Sequence, residues 1–196
     1  DQHAIFHQRG QIDIAYDYDD ENRFRVNIFM SRGKPSLACR LITADIKTFE
    51  SLHLPTILGD VAMAASGLIL FAGVTGSGKS TSIASMLQYV NERKRVHIVT
   101  IEDPIEFVHT HKTCIVNQRE VGSDTLSYRD SLRYVLRQDP DVVLIGEIRD
   151  FATTQATLRI AETCHLALAT LHTTTAVQPS HSVLAFSPSA LQERLP

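Results

Sequence analysis

The sequence of 196 residues contains few cysteines, and it has neither a long apolar run nor a block of basic residues. The three cysteines, Cys39, Cys114 and Cys164, are far apart and form no C-x-x-C pair. This spacing argues against a disulfide framework or a zinc site, and it favours a reducing cytosol in which the thiols belong to the core. No apolar run reaches the roughly 20 residues that a membrane-spanning helix needs. We therefore expect a cytoplasmic protein without a transmembrane segment.

The charge of the chain limits its partners. The formal net charge is −3 and the isoelectric point is about 6.3. Because the lysines and arginines form no cluster, we expect no nucleic-acid partner. The first residue, Asp1, begins neither a signal peptide nor an amphipathic anchor, and the missing methionine leads us to expect that the natural N-terminus lies upstream.

Residues 1–42 have the period of strands. Apolar residues alternate with polar ones around Ile14, Val26 and Cys39, and polar segments separate the three runs. This pattern predicts a β-rich domain with an antiparallel meander. Burial of Val26 and its apolar neighbours would place Arg23 and Arg25 together on the opposite face. Two interpretations stay open for this pair: solvated charges on an open sheet face, or contacts to an anion.

The period changes after a predicted linker at 43–58, in which a helix is expected to begin at Pro55 and to continue to Ala65. Four apolar runs follow, and helical patterns separate them at about 81–91, 127–138 and 153–163. The runs are 68–72, 96–101, 142–145 and 166–171. This alternation predicts an α/β core at 59–177 with a mainly parallel sheet that is covered on both faces.

A phosphate-binding loop follows the first apolar run. Residues 73–80 read G-x-x-x-x-G-K-S between a predicted strand and a predicted helix. Such a turn aims several backbone N–H groups and a helix N-terminus at one anion, whereas a glycine-rich turn without a ligand is the weaker alternative in this setting. Lys79 would reach the β- and γ-phosphates, and Ser80 the Mg²⁺ ion. The predicted nucleotide contacts are Gly73, Val74, Thr75, Gly76, Ser77, Gly78, Lys79, Ser80 and Thr81.

Ionisable side chains follow the other three runs, where ligands of a parallel sheet bind. Because hydrolysis of a phosphate chain needs a metal ion and an oriented water, Glu147 is predicted to hold Mg²⁺ or to activate the water. Glu102 competes for the second role, and the sequence does not rank the two carboxylates. His172 is predicted to sense the γ-phosphate or to orient a carboxylate. For His165, a structural and a functional role are equally compatible with its position.

Together these motifs resemble the type IV pilus and type II secretion motor ATPases, most closely the PilT-like retraction branch. The stretch 67–177 carries GVTGSGKST, TIEDPIEF, VNQREVGSDT, LRQDPDVVLIGEIRD and AETCHLALATLHTT in the order and at the spacing of that family. The resemblance implies a RecA-like P-loop NTPase core after a partial, antiparallel PAS-like domain that ends with RFRVNIF at 23–29. It also implies a hexamer that binds ATP and Mg²⁺ between subunits and contacts a platform protein at the inner membrane.

The resemblance also gives roles to individual residues. It implies that Arg23 and Arg25, with Arg40 as a third, reach the phosphates or the neighbouring subunit. The acidic motif after the second run and the two histidines correspond to the Asp box and the His box of the family. These positions are Glu102, Asp103, Glu106, His165 and His172.

Three departures from the family pattern stand out. Cys164 occupies a place where the family generally has glycine, and a left-handed helix cap there would cost a non-glycine residue about 1–2 kcal/mol. Residues 178–196 are rich in Pro and Ser and form an atypical tail in place of the family's C-terminal helical region. The first half of the N-terminal domain is expected to be missing.

The expected function is hydrolysis of ATP to power pilus retraction and twitching motility. Within the same class, the alternative is a pilus-assembly or type II secretion ATPase, which usually has a paired C-x-x-C insert. A nucleotide-dependent DNA-binding or DNA-translocating protein is the alternative from another class, because the same core serves DNA motors. A fragment that binds nucleotide without hydrolysing it is the third possibility.

Overall fold

A computed structural model describes residues 2–19, 22–42 and 45–172. The chain divides into two compact units. The first contains the residues up to 45 together with 104–108, and the second contains 46–103 and the residues from 109 onward. The predicted tail at 178–196, and residues 173–177 of the predicted core, lie outside the described residues.

The first unit contains one helix and a three-stranded antiparallel sheet. Helix α1 is Gln2–Arg9, and strands β1 (Gln11–Asp17), β2 (Arg23–Ser31) and β3 (Lys34–Ile42) pair in the order β1-β2-β3. The predicted meander is thus confirmed. Helix α1 was not predicted, because none of its residues is buried and no apolar period marks it.

The apolar face of this sheet is closed at its centre and open along β3. Ile14, Val26 and Cys39 are register partners across the three strands. Val26 is 7% exposed, whereas Leu37 is 66% exposed. Cys39 is exposed as well, so its predicted place in the core is wrong. The reason is that β3 is an edge strand of the described sheet, and its apolar side chains lack the cover that Val26 has.

The second unit contains a five-stranded parallel sheet in the order β4-β8-β7-β5-β6. Its strands are β4 (Gly67–Gly73), β5 (His97–Glu102), β6 (Ile115–Glu120), β7 (Val142–Ile145) and β8 (Leu166–His172). Its helices are α2 (Ile57–Ala62), α3 (Lys79–Arg93), α4 (Tyr128–Val135) and α5 (Phe151–Glu162), and a 3-10 turn, Leu136–Gln138, extends α4. The predicted α/β core with a parallel sheet is confirmed.

Apolar side chains pack on both faces of the parallel sheet. One cluster joins α3 to the sheet through Met86, Leu87 and Val90, which are at most 2% exposed. The other cluster includes Val135 of α4 and Ile160 of α5, which are equally buried. The sheet is therefore covered on both faces, as predicted.

Two expectations for the second unit need correction. The helix predicted at 55–65 is limited to Ile57–Ala62. In the segment predicted as a linker, Phe49 is 7% exposed and stacks on Tyr89 of α3 at 5.2 Å between ring centroids. This part of the segment is therefore packed against the core.

The remaining cysteines differ from each other. Cys114 is buried, as predicted, whereas Cys164 is exposed, so its assignment to the core is wrong. Cys164 follows α5 with a φ of 64°, which confirms the left-handed conformation expected at this position. A side chain in that conformation points away from the preceding helix into solvent, which explains the exposure.

Among the described residues, no helix is both long and apolar enough to cross a membrane.

Candidate nucleotide site

The loop between β4 and α3 has the geometry of a phosphate cradle. Gly78 precedes α3 in the left-handed conformation, with a φ of 88°, which glycine adopts without a steric cost. A Cβ atom at Gly73 would lie 2.8 Å from the hydroxyl oxygen of Ser77, so the close turn needs glycine there. The ammonium group of Lys79 donates to the carbonyl oxygens of Gly73 and Val74, at 2.9 Å each. The loop thereby holds a cation against its own backbone.

The order of the strands decides which side chains lie beside this loop. Strand β8, which ends at His172, is the direct neighbour of β4. Strand β7, which is followed by Glu147, comes next, and β5, which ends at Glu102, comes third. With strands spaced about 4.8 Å apart, these strand ends lie roughly 5, 10 and 14 Å from the loop strand. The fold therefore brings the ends of these four strands to one edge of the sheet, as predicted.

A chain of polar contacts runs from the loop to the acidic motif. Thr75 Oγ1 lies 3.5 Å from His172 Nδ1, and His172 Nε2 lies 3.2 Å from Glu147 Oε1, which makes an ion pair when the imidazole is protonated. Arg149 Nε donates to Glu147 Oε2, and the guanidinium also pairs with Asp103 at 3.6 Å. The hydrogen bond to Glu147 raises the pKa of Arg149. Glu147 thus contacts the imidazole of His172 through one oxygen and the guanidinium of Arg149 through the other.

Glu102 has different surroundings. Its Oε1 accepts a hydrogen bond of 2.6 Å from the hydroxyl of Thr100 and one of 3.2 Å from the amide of Gln118. Both donors are neutral. Glu147, in contrast, contacts an arginine and a histidine.

Gly146 is closely packed by neighbouring strands and by α4. A Cβ atom on Gly146 would lie 2.9 Å from the hydroxyl of Tyr128, 3.1 Å from the carbonyl oxygen of Ile101 and 3.2 Å from the Cα atom of Glu102. Protein atoms therefore fill the space beside Gly146. Burial, and next the carboxylate of Asp103, raise the pKa of Tyr128, so the phenol stays protonated.

One predicted residue of the second unit is not brought to the loop. His165 precedes β8, at the opposite end of the strand from His172, and is therefore roughly 20 Å away. Its Nδ1 lies 3.0 Å from the hydroxyl of Thr163. Glu106 is exposed and belongs to the segment 104–108 of the first unit.

The three predicted arginines share one face of the sheet in the first unit. Arg25 and Arg40 are register partners across β2 and β3, and Arg23 is two residues from Arg25 on the same strand. Arg23 pairs with Asp17 at 3.4 Å, and Arg25 lies 4.0 Å from Asp13. The predicted common face is confirmed, and Arg25 and Arg40 are exposed on it.

The donor set of the second unit fits Mg²⁺ only in part. The hydroxyl of Ser80 and the carboxylate of Glu147 are hard oxygen ligands of the kind that Mg²⁺ takes. Over the residues that the structure describes, no group of three or more His, Cys, Asp and Glu side chains has the arrangement of a metal site. An ion here would therefore draw most of its ligands from nucleotide phosphates and water.

Sequence reasoning missed three residues that contact the two carboxylates. The sequence predicted no contact for Arg149, although an arginine two residues after Glu147 can reach the Glu147 carboxylate. Thr100 is a polar residue inside an apolar run, which is a usable signal. Gln118 lies on β6, a strand that the sequence did not predict, so nothing indicated that it would face β5.

Comparison with known proteins identifies relatives of this arrangement. A family model described as Type II/IV secretion system protein matches residues 8–186. The type IV pilus retractation ATPase PilT of Pseudomonas aeruginosa is 44% identical over 188 residues, which are 96% of this chain and 55% of PilT. The twitching motility protein of Neisseria gonorrhoeae is 42% identical over 192 residues, which are 98% of this chain and 51% of that protein.

Solved structures agree with these relatives. The crystal structure of the pilus retraction motor PilT with bound ADP has a TM-score of 0.95 and 47% identity, and the match covers 99% of this chain and 57% of that one. The ATPase DotB of Legionella pneumophila has a TM-score of 0.79 at 26% identity and covers 98% of this chain. The chain spans about half the length of the relatives that it matches. It has a RecA-like ATPase fold and belongs to the type II/IV secretion system protein family.

Proposed function

We propose that this chain is the ATP-hydrolysing core of a motor that retracts type IV pili and thereby drives twitching motility. The observation that carries the proposal is the set of adjoining strand ends that supplies a phosphate loop, an imidazole and two carboxylates. The likeness to PilT and to a twitching motility protein supports retraction as the output. The protein works in the cytoplasm, peripherally at the inner membrane, as a hexamer that contacts a pilus platform protein.

Nucleotide binding follows from the loop. Its backbone N–H groups and the start of α3 receive the phosphate chain, and the ammonium of Lys79 exchanges its two carbonyl partners for the β- and γ-phosphates. Ser80 and Glu147 would hold Mg²⁺ together with the nucleotide. The ion would supply charge neutralisation at the transferring phosphoryl group.

We assign the base role to Glu102 and the metal-side role to Glu147. Glu147 lies one strand nearer to the loop, and Arg149 and His172 engage its two oxygens. The carboxylate that is nearer to the loop is also nearer to the phosphates, where a metal ion would lie. Glu102 lies farther along the sheet edge, where we place the attacking water, and the neutral side chains of Thr100 and Gln118 donate to its Oε1.

In the chemical step, water attacks the γ-phosphorus of ATP. The oxygen of water forms a bond to the γ-phosphorus while the bond from the γ-phosphorus to the β–γ bridging oxygen breaks. ADP leaves with that electron pair, and the proton of the water passes to Glu102, from which it returns to solvent. His172 links the loop residue Thr75 to Glu147 and so senses whether a γ-phosphate is present.

The arginines of the first unit complete the site from a neighbouring subunit. Arg23 and Arg25, with Arg40 beside them, form a cationic patch on one sheet face. An arginine that reaches a phosphate across a subunit boundary contributes about 10³–10⁵ in rate. Arg23→Ala should therefore reduce hydrolysis in assembled hexamers only, and an equal loss in monomers would contradict action across subunits.

The central experiment measures binding and hydrolysis of Mg-ATP by this chain, with the oligomeric state recorded in the same samples. Lys79→Ala should weaken binding at least tenfold, whereas Lys112→Ala, which removes a lysine that pairs with Glu92 outside the site, should not. Glu102→Gln should keep binding and lower turnover by about 10²–10⁴.

The outcomes separate the parts of the proposal. Equal binding by the parent and by Lys79→Ala would overturn the loop assignment. Normal turnover by Glu102→Gln, together with a loss in Glu147→Gln, would transfer the base role to Glu147. Binding without turnover in the parent would mean that this chain is not by itself a hydrolase.

A further inference from the structure

Two neutral side chains meet one oxygen of Glu102. Thr100 and Gln118 are register partners in the β5–β6 pair, and Glu102 is two residues beyond Thr100. Because side chains two residues apart lie on the same face of a strand, all three project from one face of the sheet. Both hydrogen bonds end on Oε1 of Glu102, at 2.6 Å from Thr100 and 3.2 Å from Gln118.

The surroundings fix both donors. Thr100 is fully buried, so its hydroxyl is costly there unless it makes a hydrogen bond, and valine would fill the same space without that cost. The amide of Gln118 is oriented from its other end, because its Oε1 accepts the backbone N–H of His109 at 2.7 Å. This leaves the NH₂ group of Gln118 to face Glu102.

The polar contact is more than the fold requires. A parallel strand that is buried on both faces ordinarily has apolar side chains, and the neighbours of Thr100 in β5, Val99 and Ile101, are apolar and fully buried. The hydroxyl of Thr100 instead points along its own strand to the last residue of that strand. A glutamate side chain that rotates freely must lose conformational entropy when it accepts a proton from a bound water. Two donors with fixed positions hold the carboxylate in one orientation before the water binds, so this loss is smaller.

We propose that Thr100 and Gln118 are positioning residues that hold the carboxylate of Glu102 in the orientation that accepts a proton from the attacking water. In this role they act on the attacking water through Glu102. This inference rests on the base role proposed for Glu102, but the contact itself can be tested without turnover.

The first measurement therefore follows the carboxyl group of Glu102 directly. In protein labelled with ¹³C at glutamate, the Glu102 carboxyl resonance is titrated with pH in the parent and in Thr100→Val. Thr100→Val removes one hydrogen bond to the charged carboxylate. The pH at the midpoint of the Glu102 titration should therefore rise by about one unit. Thr100→Ser, which restores the hydroxyl, should return it to the parent value.

The other ionisable groups near Glu102 are the same in the parent and in these variants. Glu120 is its register partner in β6. Asp103, Glu147 and Arg149 act together with Glu102 on the phenol of Tyr128 in α4. A change in midpoint between the parent and Thr100→Val therefore reports the lost hydroxyl.

The second measurement separates positioning from folding. Thr100→Val and Gln118→Met should each lower kcat about tenfold and leave the Kd for Mg-ATP unchanged. In the Glu102→Gln background, neither change should lower kcat further. Thr157→Val is the matched control, because it removes the hydroxyl of an equally buried threonine that donates to the carbonyl oxygen of Thr153 in α5. That variant should lose stability without any change in kcat or in the midpoint.

The two measurements fail in different ways. An unchanged Glu102 midpoint in Thr100→Val would overturn the positioning inference whatever the enzyme does. A shifted midpoint with a parent chain that does not hydrolyse ATP would overturn the proposed function and leave the contact established. A loss of kcat in Thr100→Val that persists undiminished in Glu102→Gln would show that Thr100 acts through something else, and it would also overturn the inference.

Discussion

The buried imidazole of His109 makes the stability of the second unit depend on pH. The residue is 8% exposed, and within the described part of the chain its Nδ1 atom has no hydrogen-bond partner. Burial lowers the pKa of His109 from 6.5 to about 4, because the charged imidazolium loses its hydration. The folded state therefore holds the ring neutral at a pH where the unfolded chain would protonate it.

The sign and the size of the effect follow from the two pKa values. Above pH 6.5 the ring is neutral in both states, and its contribution to stability is complete. As the pH falls below 6.5, the unfolded state binds the proton first, so the free energy of unfolding decreases until the pH passes about 4. At about 1.4 kcal/mol per pKa unit, the loss is about 2 kcal/mol by pH 5 and about 3 kcal/mol in total.

The test compares His109→Leu with the parent by urea denaturation at several pH values. Circular dichroism is the suitable signal because the chain has no tryptophan. The leucine variant cannot take up the proton, so its free energy of unfolding relative to the parent should rise by about 2 kcal/mol between pH 7.5 and pH 5. His7→Gln in helix α1 is the control, because His7 is exposed and its loss should leave the difference from the parent flat. A flat difference for His109→Leu would refute the reasoning from burial.

Three further predictions concern the backbone and its supports. Cys164→Gly should raise the free energy of unfolding by about 1 kcal/mol and the Tm by about 2–4 °C in a thermal scan, because glycine adopts the positive φ without strain. Thr163→Gly is the control, because φ is −94° there, and it should lower both quantities. Gly146→Ala should cost about 1–3 kcal/mol in urea denaturation, because backbone atoms block the added methyl group. Asn91→Ala should speed amide hydrogen exchange in the loop 110–114 at least tenfold, since the Asn91 side chain bonds that loop three times.

The parts of the fold that the sequence predicted are those in which one strong local rule acts alone. Buried parallel strands need continuous apolar runs, and β7 begins and ends at the predicted residues 142 and 145. The helix start at Ser127 was also predictable, because its hydroxyl accepts the N–H of Asp130 at 3.1 Å, as the capping spacing indicates. The phosphate loop lies between an apolar strand run and a helix start. Both signals mark its ends, so the sequence could predict its position.

The parts that were missed depend on contacts distant in sequence. Strand β6 lies at the edge of the described sheet, so its outer side chains stay exposed: Ile115 is 60% exposed, and no continuous apolar run marks the strand. Without β6, Gln118 could not be placed opposite Thr100. The contacts of Glu102 were likewise not predictable, because the register of neighbouring strands is what brings Gln118 to it.

Helix α3 has a mechanical consequence that follows from its two ends. It begins in the phosphate loop and contains 15 residues, so it is about 22 Å long. Near its far end, the fully buried Asn91 binds the carbonyl oxygen of Thr110 and the backbone N–H groups of Lys112 and Cys114. If the arrival of a γ-phosphate tilted this rod by about 5° about its first turn, the far end would move by about 2 Å. The loop tied to Asn91 would travel with it, so a sub-ångström event at the nucleotide would become a displacement large enough for another protein surface to detect.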